Sequence, residues 1–462
     1  MFNKLQDLSS LQEEFASQSR RSNRSPFIVF FIATLLFSLT QIKPGIIDHT
    51  TRFVDFVRAM SSNGVTFFPI IEGHPYPDYL FGAPWLMTIS AKLFGHLSFM
   101  AIGFPFAVTG ALILVMIYKL VSEHDVQWAW FSVLFAGLCW RFIEEVQTFG
   151  LDLFPTLASV LCVYLLVRER KGALLSCVMR VGAVLFVMML SFFLRGPMGI
   201  VIPAAVVTCY YVVEKRWKAL LVFWFFAFCL LVVCVLGMLL AAYWQGGNAF
   251  LNKVMDMQVF ERFSKDHSWQ PYYYFTLGLA NYALTSLFAV WVVWRERQNI
   301  FSRDSKTSTL LLLCVFWTLI VLIGMTIPHT KRERYVLAIV PAIAILAGYL
   351  FHSKFKNTVS QKVLLAIANI IPWGILASVL GVLIYNQFAA TSLVFLYRPA
   401  LISLIVILFF WMLSQWRFKS LAYQLAVVFL CVASITVFNA YVLKPIGFYQ
   451  VLALHEDPPT YL

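Results

Sequence analysis

Charged side chains are scarce in this 462-residue chain, since Asp, Glu, Lys and Arg make up 12% of it against 61% hydrophobic residues. That composition supplies too little polar surface for a soluble protein of this length. All eight cysteines fall within long apolar runs, so no polar loop carries the cysteine cluster of a disulfide framework or zinc site. The chain also lacks a glycine-rich phosphate loop, a nucleotide fingerprint and an internal repeat, and nothing in it favours an ATP-driven protein.

Long apolar runs recur along nearly the whole chain, each of about the length that crosses a hydrocarbon core. They predict an all-α polytopic membrane protein with about thirteen transmembrane helices. The first run follows a basic leader (1–26) and ends without a small-residue cleavage site, which is typical of a signal anchor. The predicted spans are 27–42, 97–120, 126–142, 153–168, 177–194, 198–213, 219–243, 271–294, 309–327, 335–351, 363–386, 394–414 and 421–443.

The net charge of +13 has a topological explanation, and it gives no support to a nucleic-acid partner. Short loops rich in Lys and Arg stay on the cytoplasmic side of a membrane. With a cytoplasmic N-terminus, such loops alternate correctly with the predicted spans, and the C-terminal tail (444–462) is expected outside. The basic clusters include Arg168, Arg170 and Lys171, then Lys215, Arg216 and Lys218, then Arg295, Arg297, Arg303 and Lys306.

Four segments on the opposite, outer face concentrate acids, histidines and aromatic residues: 43–96, 141–152, 244–270 and 328–334. In the first of them, apolar residues recur at helical spacing from Asp48 to Met60, which predicts an amphipathic helix at the membrane interface. A second interface helix is expected from about Asp78 to Phe94. The two helices, joined by a Gly- and Pro-rich turn, are suited to roof a cavity open to lipid and water.

Asp48 and Asp152 sit at outer ends of spans, where a carboxylate is costly unless it is solvated, paired or used. One interpretation is that each is merely solvated, with Asp48 capping the interface helix. The catalytic interpretation is that both carboxylates line one pocket, where one of them acts as general base towards an acceptor hydroxyl. Cations at the same level are suited to hold a phosphate; these are Arg52, Arg195, Lys331 and Arg334. A general base beside cations that hold a phosphate indicates transfer of a group from a phosphate-linked donor. On the outer face of a membrane, where nucleotide sugars are not available, a lipid-phosphate sugar is the natural donor.

The order of short motifs resembles that of membrane glycosyltransferases of GT-C type, the protein O-mannosyltransferases and the lipid A aminoarabinose transferase. The resemblance covers roughly residues 27–350. Its motifs are Ile47-Asp48-His49-Thr50-Thr51-Arg52, Gly73-His74-Pro75-Tyr76-Pro77-Asp78, Thr148-Phe149-Gly150-Leu151-Asp152, Leu194-Arg195-Gly196-Pro197, Arg262 with His267 and Pro271-Tyr272-Tyr273-Tyr274, and Lys331 with Arg334-Tyr335-Val336-Leu337.

The resemblance implies that Asp48 is the catalytic carboxylate and Asp152 its partner in the pocket. Residues in the family's cationic and aromatic motif positions are expected to bind the substrate and its phosphate: Arg52, Arg195, Arg262, Lys331, Arg334 and Tyr335. This chain departs from the pattern at His49, where the family usually has an acid. It departs again after Asp78, where Tyr79-Leu80-Phe81 replaces Lys-Pro-Pro and a phosphate-binding lysine is missing.

Some relatives hold a divalent metal between an acid and a histidine in the positions of Asp78 and His267. Oxygen and imidazole ligands suit zinc. Two ligands do not define a site, and a hydrogen-bonded outer histidine is the alternative.

The predicted function is transfer of a sugar from a polyprenyl-phosphate carrier to lipid A, another glycolipid or a protein on the periplasmic face of a bacterial inner membrane. The catalytic membrane domain is expected at 27–350, followed by further transmembrane helices at 351–443. A lipid or glycan transporter or flippase is the alternative from another class, and a scaffold of an envelope-assembly complex is a third. A transporter usually carries ionisable groups near the bilayer midplane, and the predicted spans from 363 to 443 hold almost none.

Overall fold

The computed structural model describes residues 25–38, 50–71, 73–168, 174–260, 270–329, 331–355 and Ala377. Within these ranges the chain is mostly helical, and Ile70–Ile71 pairs with His74–Pro75 in a short antiparallel ladder. The α-helices are α1 (Ser25–Ser38), α2 (Thr50–Asn63), α3 (Gly82–Phe94), α4 (Phe99–Ser122), α5 (Val126–Gly137), α6 (Trp140–Gln147), α7 (Leu153–Val167), α8 (Leu174–Arg195), α9 (Met198–Val213), α10 (Trp217–Met255), α11 (Leu277–Ala280), α12 (Ala283–Arg295), α13 (Arg297–Ser302), α14 (Lys306–Thr326) and α15 (Val340–Gly348). Short 3₁₀ or π segments are Asp256–Phe260, Tyr273–Phe275, Glu333–Ile339, Tyr349–Phe351 and Ser353–Phe355.

Within the described ranges, five helical segments are long and apolar enough to cross a membrane, or six if the bent pair α5–α6 is counted as one span. They are α4, α8, α10, α14 and the continuous segment Glu333–Phe351. The chain is therefore an integral membrane protein, as its composition predicts. The last three predicted spans and the C-terminal tail lie outside the described residues, so the count of thirteen stays a prediction.

Three predicted spans differ from the helices observed. The span predicted at 126–142 breaks after α5, and α6 turns away from it by 63°. α10 continues past the predicted end at 243 but is interrupted at Gly246 and Gly247, where Gly247 adopts a φ of 64° that glycine tolerates. The span predicted at 271–294 starts with a 3₁₀ turn and the one-turn helix α11, and its long helix, α12, begins only at Ala283.

The segment Glu333–Phe351 lies at the centre of the molecule. In its most apolar stretch of 18 residues, 89% of the residues are buried, against 22% in the corresponding stretches of α8 and α10. α15 packs against α5, α12 and α14. Trp128 on α5 fixes one of these contacts, because its indole Nε1 donates to the carbonyl oxygen of Ile345 at 2.8 Å. α8 and α10 expose many large apolar side chains and are the helices suited to face lipid.

The first outer segment forms two interface helices, as its pattern predicts, although α2 begins at Thr50 and α3 at Gly82. α2 buries Phe56 and Val57 on its apolar face. α3 approaches α8 so closely that a Cβ on Gly82 would collide with the carbonyl of Phe193. These contacts fix the segment over one end of the helical bundle.

Candidate active site

The four outer segments meet around one cavity of about 600 Å³. Residues of 43–96, 141–152, 244–270 and 328–334 all contribute to its wall, together with Arg195 at the end of α8. This volume lies in the usual range for a small-molecule site. The described wall carries charges of both signs, on Arg52, Asp78, Arg141, Glu144, Glu145, Asp152, Arg195, Arg332, Glu333 and Arg334.

Asp152 is held between two arginines. Arg195 Nε donates to Asp152 Oδ1 at 2.8 Å, and its Nη2 donates to Oδ2 at 3.5 Å. Arg334 Nε lies 3.7 Å from Oδ2, close enough for an ion pair. Since the side chains of Asp152 and Arg195 are only 5% and 7% exposed, water screens their attraction weakly. The carboxylate thereby fixes the position of both guanidinium groups.

The turn before α7 brings Asp152 to the cavity through two unusual residues. Phe149 has a φ of 58°, in the left-handed region that residues other than glycine rarely adopt. Gly150 follows, and its N–H donates to the carbonyl oxygen of Glu145 at 2.8 Å. A Cβ on Gly150 would collide with the Glu145 carboxylate. The Phe149-Gly150 pair therefore sets a turn that few other residues would permit.

Arg195 is placed by an equally tight turn between α8 and α9. It is the last residue of α8, and Gly196 ends the helix with a φ of 74°. At the start of α9, Gly199 lies so close to the Ser191 carbonyl that no Cβ fits there. The close packing of the two helices holds the Arg195 side chain towards Asp152.

Arg334 and Tyr335 come from the 3₁₀ segment Glu333–Ile339, which contacts α7 and α14. The Arg334 guanidinium lies 5.9 Å from the centre of the Tyr335 ring. Arg334 Nε is buried and donates to no hydrogen-bond acceptor within the described part of the chain. An unsatisfied buried donor costs about 1–3 kcal/mol. An additional hydrogen-bond acceptor beside Arg334 Nε would remove this cost.

Three tyrosines hold the segment that carries Arg334. Tyr274 Oη donates to the carbonyl oxygen of Arg332 at 3.2 Å, and Tyr282 Oη donates to that of Glu333 at 3.0 Å. Tyr273 Oη donates to Glu333 Oε1 at 2.9 Å. The sequence pattern of Tyr272-Tyr273-Tyr274 is compatible with a sugar-binding platform or with an aromatic belt at the membrane surface. In the structure, Tyr273 and Tyr274 hold the cavity wall in place.

A second ion-pair cluster lies beside Asp152, on α6. Arg141 Nη1 donates to Glu144 Oε2 at 2.9 Å, and Arg141 Nη2 donates to Glu145 Oε1 at 2.6 Å. Glu145 is 2% exposed, and its Oε2 accepts no hydrogen bond within the described ranges. None of the sequence motifs gives these residues a role. Their i, i+3 and i+4 spacing was the available signal, because it places all three on one helix face.

The opposite wall is aromatic and basic. Arg52 Nη1 donates to Tyr76 Oη at 3.0 Å, and the rings of Tyr76 and Tyr79 stack with centres 5.8 Å apart. Asp78 also lines the cavity, and its carbonyl oxygen accepts a hydrogen bond of 2.9 Å from Gln258 Nε2. These contacts tie α2 to the turn before α3 and to the π segment Asp256–Phe260.

Comparison with known proteins relates this architecture to membrane glycosyltransferases. Residues 74–244 match the family model described as dolichyl-phosphate-mannose-protein mannosyltransferase. The crystal structure of ArnT from Cupriavidus metallidurans in the apo state superposes with a TM-score of 0.67 at 14% identity, covering 92% of this chain and 79% of that one. The same enzyme bound to undecaprenyl phosphate gives a TM-score of 0.68 at 15% identity, with coverages of 95% and 82%. The search of curated proteins found no match.

The chain has a GT-C glycosyltransferase fold. The resemblance stated from the motifs is thereby confirmed at the level of the fold. The family-model match includes most of the described cavity wall, with Asp152 and Arg195 among its residues, and the interface helix α3.

One predicted phosphate ligand has other partners in this GT-C fold. Lys331 Nζ donates to the carbonyl oxygens of Met325, Thr326 and Pro328 at 3.2, 2.6 and 2.6 Å. These carbonyls end α14, where a cation is favourable because the last turn leaves its acceptors unpaired. In the structure Lys331 therefore caps α14 and does not line the cavity.

Asp48, Arg262 and His267 lie outside the described residues, so their predicted roles stay predictions. The described ranges contain no group of three or more His, Cys, Asp or Glu side chains that could hold a metal ion. Asp78 lines the cavity, whereas its predicted zinc partner, His267, is one of the residues outside the described ranges.

Glu145 predicts a pH dependence of stability. Burial raises the pKa of Glu145 from 4.5 to about 7, with Arg141 opposing the shift and Asp152 adding to it. The folded state then holds this proton more tightly than the unfolded state, so the free energy of unfolding should fall as pH rises from about 4.5 to about 7. Thermal unfolding of detergent-purified protein across this pH range measures it.

Glu145→Gln should remove that fall, whereas Glu144→Gln should keep it. The two residues share Arg141, but the Glu144 side chain is 34% exposed and well solvated. If the free energies of unfolding of the wild type and of Glu145→Gln changed with pH in the same way, Glu145 would not be the source of the pH dependence.

Proposed function

We propose that this GT-C protein transfers a sugar from a polyprenyl-phosphate carrier to an acceptor of the cell envelope, a lipid A-type glycolipid or a protein. The observation that supports it best is the pair of ion pairs from Asp152 to Arg195 and to Arg334, which we call the clamp. It lies in a cavity to which all four outer segments contribute. A fold shared with an enzyme crystallised with undecaprenyl phosphate supports the same donor class. The Lys- and Arg-rich loops are expected on the cytoplasmic side, which supports a cavity on the opposite face, proposed here as the periplasmic face of a bacterial inner membrane.

In this reaction the acceptor oxygen forms a bond to the sugar C1, and the bond from C1 to the phosphate oxygen breaks. The leaving polyprenyl phosphate gains negative charge. Arg334 and Arg195, held by Asp152, are placed to stabilise that charge. Arg334 contributes most directly, because its buried Nε has no hydrogen-bond acceptor within the described residues.

The acceptor hydroxyl loses its proton, and we assign this step to Asp48. Both oxygens of Asp152 face arginines, so Asp152 serves to hold the cations and is badly placed to receive a proton. Arg52, only four residues after Asp48 in the sequence, lines the cavity, which supports placing Asp48 at the same site. Asp48 would act as general base, or would orient the acceptor hydroxyl.

Binding of undecaprenyl phosphate to purified protein tests the donor assignment. Arg334→Gln should weaken binding by roughly tenfold to a hundredfold, the usual worth of a hydrogen bond to a charged group. Arg58→Gln is the matched control. Arg58 also belongs to an outer segment, 43–96, but its side chain is 61% exposed and pairs with Asp55 at 3.7 Å. Equal binding by both variants and the wild type would argue against a phosphate at the clamp.

A further inference from the structure

A second cavity, of about 610 Å³, lies between α8, α9 and α10. We call it the α8–α10 groove. Its wall is mostly apolar, with Leu185, Val222 and Phe226 among its residues. Three cations also line it: Arg180, Arg216 and Lys218.

The groove lies at the opposite end of the helices from the active-site cavity. α7 starts next to Asp152 at the cavity, and Leu166 near its other end lines the groove. Fourteen residues of helix separate them by about 21 Å. α8 repeats this arrangement, since Arg195 ends it at the cavity while Val178–Leu185 contribute to the groove. The groove is therefore a separate site.

Its charge is of one sign. The described residues that line it include three basic side chains and no acid. Glu214 lies 3.6 Å from Arg216, but this pair is partly exposed and such pairs contribute little. An occupant with a net negative head group and an apolar body matches this wall.

Gly182 of α8 lines the groove where a side chain would meet open space. A Cβ at this position would have no atom within 4 Å, so its side of α8 borders empty space. Glycine inside a helix costs about 1 kcal/mol relative to alanine. The floor beneath is ordered by ring packing, with Tyr211 and Phe223 centred 5.7 Å apart, and by the bond from Tyr210 Oη to the Leu166 carbonyl at 3.1 Å.

We propose that the α8–α10 groove binds an anionic phospholipid, with an acyl chain along the apolar wall beside Gly182 and the phosphate against Arg180, Arg216 and Lys218. α8 and α10 are poorly buried and suited to face lipid, so a membrane lipid could reach the groove directly. Basic pockets between helices at the cytoplasmic surface favour anionic head groups. The bound lipid joins α8 to α10 across the gap.

The test measures binding of phosphatidylglycerol and phosphatidylcholine to the full-length protein, by native mass spectrometry and by the shift in thermal unfolding. Phosphatidylglycerol should bind more tightly and raise the unfolding temperature. Arg216→Gln with Lys218→Gln should weaken its binding about thirtyfold, about fivefold for each cation removed. Gly182→Leu should abolish binding because the leucine side chain would occupy the α8–α10 groove. The variant should still fold, because leucine has a higher helix propensity than glycine.

Two controls match these variants. Lys215→Gln with Arg297→Gln removes the same charge from exposed positions outside the groove, and Gly237→Leu adds the same side chain on α10 where space is also open. Both should bind phosphatidylglycerol like the wild type. The proposal is overturned if phosphatidylcholine binds equally, if Gly182→Leu keeps its affinity, if the controls lose as much, or if inorganic phosphate alone gives the same shift.

Discussion

The Asp152→Asn variant is expected to transfer sugar at least about a hundredfold more slowly than the wild type and to lose about 3 kcal/mol of unfolding free energy. Asparagine keeps one acceptor for Arg195 Nε but loses the charge. Arg195, 7% exposed, would then be a buried cation without its counter-ion, and Arg334 would lose the ion pair that holds it 3.7 Å away. Both stability and phosphate stabilisation depend on that one carboxylate.

A double-mutant cycle separates the pair from its surroundings. Arg195→Gln alone should also be damaging, whereas Asp152→Asn combined with Arg195→Gln should lose clearly less stability than the two single changes added. Asp55→Asn is the control, because Asp55 forms an exposed pair with Arg58 and should change stability by less than about 0.5 kcal/mol. Additive losses at 152 and 195 would show that the buried pair is not the source of the effect.

Asp48→Asn is expected to lower the transfer rate by roughly a hundredfold to ten-thousandfold, the usual contribution of general acid–base catalysis. It should leave undecaprenyl phosphate binding unchanged, because the clamp formed by Asp152, Arg195 and Arg334 is intact. Transfer from radiolabelled donor in membranes, corrected for the amount of protein, measures the first effect, and binding to purified protein measures the second.

His49→Ala is a useful comparison for Asp48→Asn. The neighbouring histidine replaces an acid usual in the family, and we assign it no proton-transfer role, so its loss should change the rate much less. A wild-type rate for Asp48→Asn would remove Asp48 from the mechanism, and a combined loss of rate and binding would instead place it among the donor-binding residues.

Much of the helical framework follows from local patterns in the sequence. α4, α7 and α9 begin and end within about two residues of the predicted spans, since long apolar runs with polar ends leave little choice. α2 follows from its amphipathic spacing, with Phe56 and Val57 buried as the pattern requires. The sidedness of the loops also grouped the four segments that the structure brings to one cavity.

The remaining features depend on how particular side chains are buried and packed in the folded chain. The bend between α5 and α6 buries Arg141 with Glu145, and a composition window cannot distinguish such a buried ion pair from a solvated turn. Lys331 reads as a free outer cation, yet the end of α14 supplies three carbonyl acceptors for it. The contact between Asp152 and Arg195 joins residues 43 positions apart, and only the packing of α7, α8 and α9 determines it.

The most direct test of the account is donor turnover by the purified wild-type protein. Undecaprenyl-phosphate sugar labelled in the sugar, incubated with the protein and an envelope glycolipid or protein fraction, should release free undecaprenyl phosphate in equal amount to the label gained by the acceptor. The Asp48→Asn variant should do neither at a comparable rate. Binding of the donor without release of undecaprenyl phosphate, or its movement between leaflets with the sugar still attached, would contradict a transferase and indicate a transporter.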